Sequence, residues 1–277
     1  MKFTKMHGCG NDYIYVNCLE QQIADRNATA KRISDRHFGI GSDGMICIDP
    51  SDVADFRMDR YNADGSQGRM CGNGIRCVGK FVYDHGLTDK EVITVETLGG
   101  IKTLHLNVVD GAVASVRVCM GEPGFAPECI PVAAEGPDFI RQSVEVCGQT
   151  WEMTAVSMGS AHAVTFVDDV DALDLEKIGP HFENHALFPE RINTEFVQVV
   201  DDTHLKMRVW ERGSGETLAC GTGSCATLVT AVLCGKSQNH ATIMLRGGEL
   251  DVEWDRDSNL IYMTGPATIV FEGEIKD

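Results

Sequence analysis

Met70-Cys71-Gly72-Asn73-Gly74-Ile75-Arg76-Cys77 and Ala219-Cys220-Gly221-Thr222-Gly223-Ser224-Cys225 are two copies of one pattern. Each is Cys-Gly-x-Gly followed by an apolar run, IRCVGKFVYDHG after the first and SCATLVTAVLCG after the second. Each run ends on a glycine, Gly86 or Gly235, of the kind that closes a helix. The leading cysteines stand 149 residues apart (220 less 71). The same offset sets Gly72 on Gly221, Gly74 on Gly223, and Phe56-Arg57-Met58 on Leu205-Lys206-Met207. It also sets Tyr61 on Trp210 and Gly10-Asn11 on Gly159-Ser160. One offset across such distant segments implies two halves of like architecture.

Around the two motifs the chain reads mostly as short strands. KFTKMHG, DYIYVNC, MICIDP and DFRMDRYN in the first half, and TAVSMGS, AVTFVDD, EFVQVV and LKMRVWE in the second, alternate as strands do. The helix after each Cys-Gly-x-Gly is apolar round most of its circumference, the mark of a buried helix. The expected fold class is α+β: two pseudo-symmetric domains, each a curved, mostly antiparallel sheet wrapped around one central helix. The expected halves are residues 1–118 and 119–262. A strand-rich tail, LIYMTGPATIVFEGEI, ends the chain, and residues 263–277 are expected to return to the first half.

The 277 residues are 43% hydrophobic and 23% charged, ordinary globular material that excludes disorder, collagen and coiled coil. The net charge of −17 gives no attraction for nucleic acid or an anionic membrane, so neither is an expected partner. The N-terminal MKFTKMHGCGNDYIYV lacks the apolar stretch of a signal peptide. No run approaches the length of a membrane span. Eleven cysteines, an odd number in a chain long enough to build a core without staples, read as free thiols in a reducing cytoplasm.

Most of those cysteines have local roles. Cys18, Cys47, Cys119 and Cys147 fall in strand-like segments and are expected to pack as small hydrophobes. Cys77, Cys225 and Cys234 fall on the helical runs, and Cys9 lies in a glycine-rich stretch open to either reading. There is no CxxC, and His181 and His185 lack a surrounding HExxH, so no metal site is expected.

Cys71 and Cys220 differ because each opens a helix. A helix N-terminus offers unpaired N–H groups and partial positive charge, and it favours the thiolate of a cysteine placed there. Glycines let an anion approach the backbone. Two such thiols flanking one small molecule suit removal of a proton from a carbon alpha to a carboxylate and its return to the opposite face. Gly221-Thr222-Gly223-Ser224-Cys225-Ala226 also fits the GxGxxA dinucleotide fingerprint, but it lies late in the chain and follows a cysteine that such a site does not need.

At these residues the sequence closely resembles the diaminopimelate epimerase family, over essentially the whole chain. The matching stretches are HGCGNDYIYV (7–16), FGIGSDG (38–44), YNADGSQGRMCGNGIRC (61–77), RINTEFV (191–197) and WERGSGETLACGTGSCAT (210–227). The resemblance implies cofactor-independent epimerisation of LL-2,6-diaminopimelate to the meso form, feeding lysine and peptidoglycan synthesis. It implies a diamino dicarboxylate substrate, and a homodimer is compatible with it. Cys71 and Cys220 resemble the two acid/base thiols. Gly72, Asn73, Gly221 and Thr222 resemble the donors that hold the carboxylate at the reacting centre. Asn11, Asn62, Asn193 and Arg212 resemble the residues that hold the distal amino-acid group, with Glu211 reading its ammonium. Gly44, in FGIGSDG, is a further candidate.

Other readings stand beside these. Arg212 could pair with Glu211 or Glu216, and Asn11 and Asn62 could be turn residues. The family usually has Gly-Asn-Pro-His where this chain has Gly159-Ser160-Ala161-His162. Ser160 therefore departs from the usual asparagine, and His162 is either a pocket wall or a buried structural histidine. A racemase of another amino acid, or a thiol redox or metal-binding module, remains as an alternative function.

Overall fold

The computed structural model describes residues 1–276 and divides into two compact units. One is Met1–Cys119 with the C-terminal stretch from Thr264, and the other is Met120–Met263. In the first unit the elements are β1 (Lys2–Gly8), β2 (Asn11–Asn17), α1 (Arg26–Ser34), β3 (Gly44–Asp49), β4 (Phe56–Asn62) and β5 (Gln67–Gly68). They continue with α2 (Gly72–Asp84), β6 (Val92–Thr97), β7 (Gly100–Val109) and β8 (Ala112–Gly121). The second unit runs β9 (Gln142–Val146), β10 (Gln149–Ser157), β11 (Ala161–Phe166), α3 (Leu175–Glu183), β12 (Asn193–Val199), β13 (His204–Glu211) and β14 (Gly215–Thr217). Then come α4 (Gly221–Leu233), β15 (His240–Leu245), β16 (Gly248–Asp255) and β17 (Leu260–Pro266), which leads back into the first unit, where β18 (Thr268–Glu274) lies.

Moved by 149 residues, α1 falls on α3 and α2 on α4, end to end. The pairing repeats as well. In the first unit β1–β2, β3–β4, β6–β7 and β7–β8 are antiparallel, while β2–β3 and β4–β6 are parallel. In the second, β10–β11, β12–β13 and β15–β16 are antiparallel, while β11–β12 and β13–β15 are parallel. A parallel pair needs a long crossover, and each one here contains a helix: α1, α2, α3 and α4 in turn. Strand β18 pairs with the edge of β1, as β9 pairs with β10, so the chain's last strand completes the first sheet.

Among the described residues each unit thus has two α-helices where the sequence reading expects one. Helix α1, RNATAKRIS, is too polar to stand out as apolar periodicity, and α3, LEKIGPHFE, has Pro180 in its interior. Their starts were written in the sequence: Asp25 and Asp174, again 149 apart, cap them by accepting from Ala28 N and Lys177 N. The outer helix seals one sheet face and the central helix the other. In the first unit Ala30 and Ile33 of α1 pack with Ile14, Val16, Met45, Cys47 and Tyr61. In the second, Phe182 of α3 meets Trp151 and Phe196 edge-on. Helix α4 lies against β10, β11, β12, β13, β15 and β16, the expected sheet around a helix. Strand β3 is buried along its whole length, as a strand covered on both faces must be.

The thiols sort as follows. Cys47, Cys77 and Cys225 are buried in the core, and Cys9 is buried with Arg76 donating to its sulfur. Cys18, Cys119 and Cys234 are half-buried. Cys147 departs from expectation. It is exposed in the turn between β9 and β10, with φ at 54°, because the strand alternation ends at Val146.

Candidate active site

Cys71 and Cys220 are the N-cap residues of α2 and α4. Both have extended backbone, and the sulfur of each accepts from the third residue on: Gly74 N at 3.3 Å and Gly223 N at 3.4 Å. Each sulfur therefore sits where the helix presents unpaired N–H groups and its positive end. Gly72-Asn73 and Gly221-Thr222 form the first helical residues. Gly74 and Gly223 let a strand side chain press against the helix start. A Cβ on Gly74 would lie 2.7 Å from Ile46 Cδ1, and one on Gly223 would lie 2.5 Å from Glu195 Oε1.

The surroundings of the first thiol are neutral amide and phenol. Cys71 Sγ donates to Asn11 Oδ1 at 3.2 Å. Asn11 is turned that way by its other end, where Nδ2 donates to Asp43 Oδ2 at 2.8 Å. Asp43 also accepts from the backbone N of Asp12 and pairs with Arg36. The Tyr13 hydroxyl is hydrogen-bonded to Cys71, and burial with that neighbour pushes its ionisation well up, so the phenol stays neutral. Asp43 escaped the sequence reading, although it stands in the matching FGIGSDG beside the chosen Gly44.

The second thiol is buried and meets carboxylates and an imidazole. Burial, followed by the charges of Glu211 and Glu195, pushes the Cys220 thiol well above its ordinary range. Glu211 is itself raised, by burial first, while hydrogen bonds from Thr217 and Cys220 hold it back. His162 Nδ1 lies 2.7 Å from Glu195 Oε1, and both side chains are fully buried. On the other edge of the ring, His162 Nε2 is 2.9 Å from Ser160 Oγ, which donates to Thr222 Oγ1 at 3.3 Å. Ser160, the departure from the family pattern, thus links His162 directly to the first turn of α4. Glu195 also escaped the sequence reading: inside EFVQVV it looks like an ordinary strand charge.

The remaining candidates have identifiable local bonds. Asn193 Nδ2 donates to Ala161 O at 2.9 Å, and its Oδ1 accepts from Arg212 N at 2.9 Å. It clasps the start of β11 to the end of β13. Arg212 is exposed and its Nη1 donates to Glu190 O at 2.9 Å. The alternative pairing with Glu216 is pre-empted, since Arg208 and Arg246 hold that carboxylate. Asn62 has the geometry of the turn reading. Its backbone N donates to Ser66 O, its O accepts from Gly65 N, and its side chain spans Arg60 and Ser66. Gly44 pairs with Asn62 across β3–β4, and a Cβ there would fall 2.0 Å from Tyr61 O. Close strand pairing alone therefore requires that glycine.

The family model for diaminopimelate epimerase matches residues 3–126 and 154–270. A diaminopimelate epimerase of Acetivibrio thermocellus is 59% identical over 275 residues, covering 99% of this chain and 98% of its own. One from Methanococcus maripaludis is 56% identical, covering 99% of both. Among solved structures, a phenazine biosynthesis protein of the PhzF family from Bacillus anthracis superposes with a TM-score of 0.73 at 18% identity, covering 100% of this chain and 99% of its own. A probable proline racemase from Agrobacterium radiobacter gives a TM-score of 0.73 at 14% identity, covering 99% and 92%. At such identities these two share the fold alone. No helix among the described residues is long and apolar enough to cross a membrane. With two thiol-capped helices in repeat and relatives this near along its whole length, the chain is an isomerase and belongs to the diaminopimelate epimerase family.

Proposed function

We propose that this chain inverts one α-carbon of 2,6-diaminopimelate, interconverting the LL and meso forms, with Cys71 and Cys220 as its two acid/base groups. The observation that carries the reading is the pair of N-cap cysteines at repeat-related helix starts, in a chain whose near relatives bear that activity's name. One sulfur, as thiolate, takes the α-proton as the C–H bond breaks. The electron pair spreads into the adjacent carboxylate. The other sulfur gives its S–H proton to the opposite face of the same carbon. No electron is gained or lost overall, so the balance calls for no redox cofactor. Backbone N–H groups at Gly72, Asn73, Gly221 and Thr222 are the preorganised donors for charge developing on that carboxylate.

Incubation with diaminopimelate in D2O tests the reading. Deuterium should appear at an α-carbon, and Cys71→Ser and Cys220→Ser should each lower epimerisation by about 10²–10⁴, the usual worth of a positioned acid or base. Absence of exchange into diaminopimelate, with rapid exchange into another amino acid, would overturn the substrate. Full activity in either variant would overturn the two-thiol mechanism.

A further inference from the structure

Behind Cys220 the fold buries three side chains of metal-ligand type. Sγ of Cys220, a ring nitrogen of His162 and a carboxylate oxygen of Glu195 all lie within 4.8 Å of one another. His162 and Glu195 are 0% exposed, and Cys220 is 6% exposed. Glu195 Oε1 is taken by His162, but its Oε2 is buried with no hydrogen-bond partner among the described residues. A buried carboxylate oxygen left unpaired is costly, and a cation is one way to satisfy it.

We propose that Cys220, His162 and Glu195 form a binding site for a thiophilic divalent cation of the zinc class, and that filling it silences this thiol. Thiolate, imidazole and carboxylate are the three ligand types that such an ion accepts, and the sulfur excludes magnesium and calcium as preferred occupants. On binding, the S–H proton leaves to solvent as the sulfur–metal bond forms, so no oxidant or reductant is needed. The first unit serves as the internal control. At the positions 149 residues earlier, His162 and Glu195 are replaced by Tyr13 and Ile46, so Cys71 has neither imidazole nor carboxylate there. The site is a lock on one thiol, not a property of the repeated fold.

The test is metal binding itself, read without substrate, so it stands or falls apart from the identity of the amino acid. Reduced, chelator-treated protein is titrated with Zn2+ by calorimetry and with Cd2+ by its thiolate charge-transfer absorbance. One equivalent should bind per chain, the absorbance should rise with it, and a chelator should reverse both. Cys71→Ser should keep stoichiometry and affinity. Cys220→Ser, His162→Gln and Glu195→Gln should each weaken binding about tenfold or more, with circular dichroism confirming that the variants fold. Absence of saturable binding by the parent protein would overturn the proposal. So would parent-like affinity in folded Cys220→Ser, or loss of binding in folded Cys71→Ser.

Discussion

The two helix starts that carry Cys71 and Cys220 share backbone to within a fraction of a turn, yet their surroundings have almost nothing in common. Both cysteines cap thirteen-residue helices, and both accept from the N–H three residues on. Around the first stand Asn11, Tyr13 and Ile46, and at the same repeat positions around the second stand Ser160, His162 and Glu195. Asn62 likewise corresponds to Glu211. The repeat therefore preserves the helix end that carries the thiol, while the side chains that set its proton have diverged. Under the proposed two-thiol mechanism that divergence matters, because there one thiol gives a proton while the other takes one.

Exchanging the repeat-equivalent residues breaks this comparison most severely. Ile46→Glu would put into the first unit the carboxylate that the second unit carries. Tyr13 stands where His162 stands, so no imidazole answers the charge. A buried unpaired carboxylate should cost about 3–5 kcal/mol. The sign of its pH dependence is fixed by burial, which raises the folded-state pKa above the ordinary value of about 4.3. The unfolded chain then releases its proton first, so the loss of stability grows as pH rises through that range. Denaturant unfolding at several pH values reads this, and an unchanged midpoint would show that the two environments are interchangeable.

The reverse exchange, Glu195→Ile, removes the partner of a buried imidazole. His162 Nδ1 then loses its 2.7 Å neighbour. Leaving such a group unsatisfied should cost about 1–3 kcal/mol, less than Ile46→Glu because His162 keeps its second hydrogen bond, to Ser160. Restored stability in His162→Phe with Glu195→Ile would sharpen the point, since removing both partners leaves nothing unpaired.

Asp43 offers a gentler test on the first side. Its carboxylate turns the Asn11 amide so that Oδ1, and not Nδ2, meets Cys71. A hydrogen bond to a charged group contributes about 1.5–3 kcal/mol. Asp43→Ala should therefore lower kcat/KM by about 10- to 10²-fold. Asn11→Ala should cost about as much, and the double variant should cost little more than either alone. Fully additive losses would mean that Asp43 acts elsewhere, for example through its pairing with Arg36.

What could be read from the sequence divides along the same line as the two sites. Cys-Gly-x-Gly before an apolar run is a local signal, and it located both thiols and the α+β architecture around them. The partners of the thiols come from strand register, which brings residues 60 or 25 positions away to the sulfur: Asn11 to Cys71 and Glu195 to Cys220. No periodicity announces such a meeting. Helices α1 and α3 were hidden for a different reason, one being polar and the other holding Pro180; their aspartate caps, 149 residues apart, are the signal that could have found them. Asn62 and Gly44 lie in matching segments, yet in the fold each also has a backbone task, a turn and a tight strand pair, which motif matching alone does not separate from binding.

The smallest expected effect comes from Ser160, which the sequence reading sets apart from the family it resembles. Ser160 stands on the repeat position of Asn11, so Ser160→Asn would make the two units alike there. The hydroxyl now bridges His162 Nε2 and Thr222 Oγ1. An amide has a donor and an acceptor and can satisfy one or both, so the net change amounts to about one ordinary hydrogen bond, roughly 0.5–1.5 kcal/mol. That converts to a change in kcat/KM of about tenfold at most, in either direction. The split between constants is the informative readout. A change confined to KM would place Ser160 on the substrate. A change in kcat with KM held would place it on the His162–Thr222 link, where its effect passes through the first turn of α4 to Cys220.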